Sequence, residues 1–483
     1  MALLSDVGHQ TLHQLSQASM TSIAKHLPTR YKTAPTKAQE PLIPSPDTFG
    51  QLESPAPPAT PAPDPSPLLP TVAECAVHLE LLETFYVLRQ RILKSETLDT
   101  VFDLKENPRE VTRRDGTKLR LKDTTLWTRR EQKWHKYLEL AVVRFLAWWK
   151  SAPCATAATR NSHPTFLEER LPPLDVIMVW HAALLNPATF KSRYRDSRGY
   201  KLHFPWRAIH QAIDHGPWTY QLRAEASQAF KKVTGLEADL FAQLESWASL
   251  PTPARTALTT FTVGTHHDST LNVLTQGSAA HHLLQCVQTA DSTLALGLRE
   301  AIIRQTSFVD KMNAHLWIRS PALGGTLRRA RSRYDNFLQL IRRHPTTMMV
   351  PTLDIDLVWH THQCSAAEYR TAMLTLAGKF VNHDDSIVKS TLSGGFARTT
   401  ALFRVHFAAE YPICGCWDCE ALLSALVGEG RQREGDAGED DNDDAQQPAL
   451  DTVVEKVAAD VAYHRAVELA RRAKKPLPVR ERA

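Results

Sequence analysis

The sequence predicts a mainly α-helical protein: two pseudo-repeated helical halves packed together, with a disordered N-terminal arm and a disordered acidic segment towards the C-terminus. Three observations carry this reading. Apolar residues recur at three- and four-residue steps along most of the chain, and alternating β-type runs are scarce. Leu171-Pro-Pro-Leu-Asp-Val-Ile-Met-Val-Trp-His181 recurs as Val350-Pro-Thr-Leu-Asp-Ile-Asp-Leu-Val-Trp-His360, with Pro, Leu, Asp, Val, Trp and His identical. A repeat so widely spaced means two related units rather than a short-period solenoid. Finally, residues 41–70 hold eleven prolines and seven acids fall between Glu434 and Asp444, so neither stretch can build a core.

Residues 1–70 form the Pro-rich arm. The first helical half, 71–248, begins at Thr71, a suitable N-cap, and Cys75, Leu79, Leu82 and Tyr86 share one stripe of the helix that follows. Further helices are expected over Thr128–Trp149, Trp206–Asp214 and Gln221–Ala248. Two prolines, many threonines and a short β-like run make 249–268 a linker. The second half, 269–425, is helical from Ala279 to Arg343 with a break at Ser320-Pro-Ala-Leu-Gly-Gly, then carries the second Trp-His motif and a cysteine cluster. An acidic linker over 426–449 precedes a C-terminal helix and basic tail over 450–483.

The formal charge of +5 over 483 residues gives no argument for a nucleic-acid or membrane partner, and no apolar run reaches eighteen residues. Residues 1–37 carry one acid, Asp6, against Lys25, Arg30, Lys32 and Lys37. The first twenty residues lack Lys and Arg, however, so a mitochondrial presequence is disfavoured and a cytoplasmic protein, or failing that a nuclear one, is expected. Seven cysteines, three in one hexapeptide, suit a reduced protein with a local thiol cluster.

Helix-start chemistry explains most of the repeated motif. Asp175 and Asp354 are placed as N-caps, with Leu before and Val four residues after each as a hydrophobic staple. Trp180-His181 and Trp359-His360 then fall inside the helix, where a packed Trp and a hydrogen-bonded core His suffice. The copies differ along one stripe. Ile177, His181 and Leu185 in the first become Asp356, His360 and Cys364 in the second, with His362 on the adjacent face. Cys414-Gly-Cys-Trp-Asp-Cys419 supplies three thiolates, and a closed zinc site needs four ligands. His360, His362, Cys364 and His383 are candidates for the fourth, which would staple the chain's end to the second motif. His383, Asp384 and Asp385, with His406 beyond, offer a weaker two-His-one-carboxylate pattern. Arg328, Arg329, Arg331, Arg333, Arg342 and Arg343 make a basic helix, read as solvated or ion-paired before RNA-contacting.

These residues carry a family resemblance. Glu74-Cys-Ala-Val-His-Leu-Glu-Leu-Leu-Glu, Pro173-Leu-Asp-Val-Ile-Met-Val-Trp-His-Ala-Ala-Leu-Leu-Asn-Pro187, Leu316-Trp-Ile-Arg-Ser-Pro-Ala-Leu-Gly-Gly-Thr-Leu-Arg-Arg-Ala, Pro351-Thr-Leu-Asp-Ile-Asp-Leu-Val-Trp-His-Thr-His-Gln363, Phe380-Val-Asn-His-Asp-Asp385 and Cys416-Trp-Asp-Cys-Glu resemble the glycine-rich-domain-protein-like family in its fungal form. The resemblance runs in order from about residue 72 to 424 and implies no established biochemical activity. The glycine-rich tail of plant relatives, which are linked to growth and stress responses, is not carried over: the chain has 19 Gly. Paired Cys-x-x-Cys knuckles of fungal relatives are also missing, since 249–268 contains no cysteine.

The function expected is a non-enzymatic scaffold or regulatory binding protein with an unidentified protein partner, because no complete catalytic constellation appears. A metal-dependent enzyme centred on His360 and His362 is the alternative, and an RNA-associated protein the third.

Overall fold

The structure, a computed structural model, describes residues 32–33, 44–53, 67–113, 115–151, 168–264, 274–384, 387–435 and 450–479. At its centre lies helix α1 (Val72–Lys94), opened by a capping box: Glu74 N–H donates to Thr71 Oγ1 at 3.1 Å, and Thr71 N–H to the Glu74 carboxylate at 2.7 Å. Apart from Glu74, every residue from Ala73 to Phe85 is buried. A helix buried on all sides is a core element, not the one-striped surface helix that Cys75, Leu79, Leu82 and Tyr86 suggest. Long helices α2 (Leu126–Ser151), α6 (Ser292–His315) and α7 (Leu323–Arg343) pack against it.

The two motif copies open helices α3 (Leu174–Leu184) and α8 (Leu353–Gln363), packed on α2 and α7 respectively. Each is followed by a shorter helix, α4 (Pro187–Tyr194) and α9 (Ala366–Leu376). Between the units come α5 (Trp206–Ala212) and several further helices, and the chain continues through α10 (Trp417–Gly435) to α11 (Leu450–Arg472). Strand structure among the described residues is confined to three two-stranded antiparallel pairs: 32–33 with 478–479, 109–112 with 118–121, and 213–214 with 219–220. Apolar side chains of both units belong to one continuous core.

Both motif aspartates are anchors rather than caps. The helices begin two residues earlier than expected, at Leu174 and Leu353, after Pro173 and Thr352, and neither of these makes a side-chain cap hydrogen bond. Asp175 instead accepts from Arg144 Nε on α2 at 2.6 Å, and Arg144 also donates to the carbonyls of Glu237 and Ala238. Asp354 accepts from Arg333 Nε on α7 at 2.7 Å, and Arg333 donates to the carbonyls of Glu410 and Tyr411. A tertiary guanidinium outbids the local N–H groups because the fork is charged and the site is buried.

Other boundaries also shift. The helix expected over Gln221–Ala248 is split at Gly235, whose φ of 72° only glycine adopts without strain, and Asp239 caps the next piece. The segment read as a linker contains a helix, Thr252–Thr260, which buries Ala254 and Leu258. Within the arm, Pro46–Phe49 forms a 3-10 turn that buries Phe49. Helix α10 runs on past residue 426. The rest of the expected arm, apart from 32–33, 44–45, 50–53 and 67–70, and residues 436–449 lie outside the described residues.

Candidate functional site

Helix α8 places Asp356 and His360 on one face, four residues apart, and the segment after α9 brings His383 against them. Their donor atoms converge. His360 Nε2 lies 3.1 Å from His383 Nε2 and 3.3 Å from Asp356 Oδ1, and His383 Nε2 lies 3.8 Å from the same oxygen. His383 is oriented from behind: its Nδ1 lies 3.1 Å from the carbonyl oxygen of Leu185, which caps α3. That bond puts a proton on Nδ1, so in the neutral ring Nε2 is a lone pair. Asn382 fastens the same segment to the first unit by accepting from Ala188 N–H at 3.0 Å. One proton, on His360 Nε2, is then all that neutral tautomers offer to three converging atoms, and Asp356 Oδ1 has no aligned hydrogen bond.

Burial shapes the charge here. It lifts Asp356 to about 6 against the pull of His383, and holds His360 well below the ordinary histidine range. The Phe308 ring lies 4.4 Å from that of His360, and Trp359 meets His383 edge-on. Trp359 Nε1 donates to the Tyr369 hydroxyl at 2.9 Å.

The equivalent histidine of the first unit has an ordinary role. Thr361 donates its hydroxyl to Leu357 carbonyl, so its oxygen accepts from His78 Nδ1 at 2.8 Å. His78 Nε2 is therefore bare and accepts from His181 Nε2 at 2.9 Å. Burial holds His181 at about 3, neutral at any physiological pH. Trp180 packs among Trp148, Trp149 and Phe204. His78, on the all-round buried face of α1, thus links the two units through His181 and Thr361.

The expected zinc staple between the hexapeptide and the second motif is not formed. Cys414, Cys416 and Cys419 do come together, but His360 is taken up with Asp356 and His383 in a separate group. His362 Nδ1 bonds the Tyr334 hydroxyl at 3.1 Å, and the Cys364 thiol donates to the His360 carbonyl at 3.3 Å. The hexapeptide is instead clamped to the end of α6: Trp317 Nε1 donates to Gly415 carbonyl and Trp417 Nε1 to His315 carbonyl. Its hydrogen bond with Cys419 holds Cys416 down at about 5. Asp384 is exposed and does not join the triad, Asp385 lies outside the described residues, and His406 bonds Arg343 and His344.

The basic helix α7 spends its arginines within the molecule. Arg329 holds Glu420 and Ser424, Arg331 is buried, Arg333 is the Asp354 anchor, and Arg342 and Arg343 reach Thr375 and His406. No helix among the described residues is long and apolar enough to cross a membrane.

Comparison with known proteins agrees with the resemblance seen in the motifs. The family model described as glycine-rich domain-containing protein-like matches residues 268–371, the segment that contains α6 to the middle of α9. The chain is 39% identical over 93 residues, 18% of its length, to glycine-rich domain-containing protein 1 of Arabidopsis thaliana. It is 25% identical over 283 residues, 57% of its length, to glycine-rich domain-containing protein 2 of the same plant. These matches span 11% and 30% of the relatives' own lengths. No solved structure matches.

Proposed function

We propose that this glycine-rich-domain-protein-like chain is a non-catalytic binding scaffold whose second Trp-His unit is closed by one divalent transition metal, zinc first, on Asp356, His360 and His383. The observation that carries the reading is the convergence of their three donor atoms at 3.1, 3.3 and 3.8 Å. Bonds of about 2.0–2.1 Å in a tetrahedron imply an edge near 3.3 Å. Imidazole nitrogen with carboxylate oxygen is a donor set that zinc accepts. A metal would supply the positive charge that one shared proton cannot. It would also join α8 to the segment that leans on α3, tying the second unit to the first.

Position favours a structural ion. His360 is 2% exposed and His383 12%, so these ligands sit within packed side chains. Metal analysis of the purified full chain should find one equivalent that is lost in His383→Ala. Unchanged metal content in that variant would end the proposal. One observation favours the enzyme reading: three protein ligands leave a coordination position open, and Asp356 is 22% exposed. Cobalt-loaded protein distinguishes the two. A visible spectrum that shifts on adding a small anion such as azide would indicate an open, catalytic-type site, and an unresponsive spectrum a closed one.

A further inference from the structure

A second group of the same chemistry is centred on α1, built from residues outside the two Trp-His motifs and the cysteine cluster. Glu80 is fully buried in the middle of the helix. His210, at the end of α5, and His215, in the turn between the paired residues 213–214 and 219–220, both face it. His210 Nδ1 lies 2.7 Å from Glu80 Oε2, His215 Nε2 lies 3.0 Å from Glu80 Oε1, and the two nitrogens are 3.3 Å apart.

The hydrogen bond between His210 Nδ1 and Glu80 Oε2 accounts for only part of this arrangement. Glu80 Oε1 has no aligned donor, although an imidazole nitrogen is 3.0 Å away. A buried carboxylate is costly unless a positive charge or a full set of donors meets it. His210 and His215 do not complete such a set: Oε1 is left without an aligned donor, and the two ring nitrogens crowd each other at 3.3 Å. A cation at the point where the three atoms converge would satisfy all of them.

The surroundings hold the donors in place while leaving one side open. The Phe49 ring stacks on His210 at 4.1 Å, with 24° between the planes. Arg319 donates to the carbonyls of His215 and Gly216 and covers the Trp218 ring. The imidazoles are nevertheless 23% and 37% exposed, so an ion could enter from solvent without unfolding the core.

We infer that Glu80, His210 and His215 form a second divalent-metal site, taking zinc or a neighbouring ion such as cobalt or nickel through two nitrogens and one carboxylate. The site is independent of the Asp356 triad. Its occupancy would lock His210 beneath Phe49, and so fasten the Pro46–Phe49 turn to α1 and α5.

Zinc content of the full chain, measured after removal of weakly held ion, tests the assignment. His215→Ala removes a partly exposed ligand and should keep wild-type helicity by circular dichroism. It should bind one equivalent less than wild type, and Glu80→Gln should lose the same equivalent. Asp356→Asn and Cys416→Ser must leave that equivalent in place, which separates this site from the triad and from the thiols. In a hydrogen-exchange experiment, zinc should slow exchange of residues 46–53 in wild type and not in His215→Ala. The inference fails if folded His215→Ala binds as much zinc as wild type. It also fails if the Asp356→Asn and Cys416→Ser losses together account for all the metal.

Discussion

Helices α3 and α8 start with the same Leu-Asp pair, are pinned by the same kind of arginine fork and bury the same Trp-His pair, yet their histidines end in different chemistry. Around His181 the neighbouring stripe position is Ile177, and Nε2 of the ring bonds His78. Around His360 that position is Asp356, and a later segment adds His383. The conserved geometry of the helix start is therefore a mount. What the mounted histidine does depends on one position four residues earlier and on which segment is laid across it.

The strongest test of the shared mount is to remove its acid. Asp175→Ala strands Arg144, whose side chain is fully buried, and should cost about 3–5 kcal/mol. Asp354→Ala should cost less, because Arg333 is 14% exposed and can be partly hydrated. Urea denaturation of both variants measures the difference, and equal losses would show that burial of the arginine does not set the cost. Next in size are the histidines. His181→Ala and His360→Ala should each lose about 1–3 kcal/mol through a broken buried hydrogen bond. Only His360→Ala should also lower the metal content. If the two variants match in both respects, the units do not differ in function.

A smaller effect concerns a strap between the units. His203, just before α5, meets Glu74 of α1 and Glu368 of α9 at 3.0 and 2.9 Å. Burial lowers its pKa, but the hydrogen bonds to the two carboxylates outweigh burial and hold it up at about 10. A group raised in the folded state adds stability that is complete below its unfolded value of about 6.5 and fades as pH rises through the folded value. With the imidazole 43% exposed, we expect about 1 kcal/mol, lost between those limits and absent in His203→Gln. Melting curves across that range check it. Smallest of all, Cys364→Ala removes a thiol bonded only to the His360 carbonyl; it should cost at most about 1 kcal/mol and leave metal content unchanged.

The helical class was legible because period-3.6 spacing is local, and so was the paired motif. The partners of the motif were not. Asp175 and Asp354 look like caps in sequence because Ser, Thr, Asp and Asn before an apolar run favour that role, whereas their arginines lie 31 and 21 residues away. Among the metal candidates, His360 and Asp356 were visible as an i, i+4 pair, and His383 was noticed without its destination. The cysteines drew attention by their spacing, but spacing cannot say which distant ligand arrives. Glu80 and His78 stand in a string that carries the family resemblance but give no sign of their roles there, and nothing singles out His210 or His215; one signal was available, since Leu79-Glu-Leu-Leu-Glu83 sets acids in a helix that is apolar on every face. A buried acid there must find a partner.

The arginine forks also determine where the molecule can be cut. Arg333 takes its last two acceptors from Glu410 and Tyr411, well downstream of the helices α7 to α9 that it organises. Thr361 in turn takes a hydrogen bond from His78, far upstream. A fragment carrying only Leu323–Leu376 would hold the whole motif and yet leave a guanidinium and a hydroxyl without the groups that complete them. The stretch that is recognisable as a unit along the sequence is thus smaller than the stretch able to stand as one, and fragments meant to isolate the second Trp-His site must reach back to α1 and forward past Tyr411.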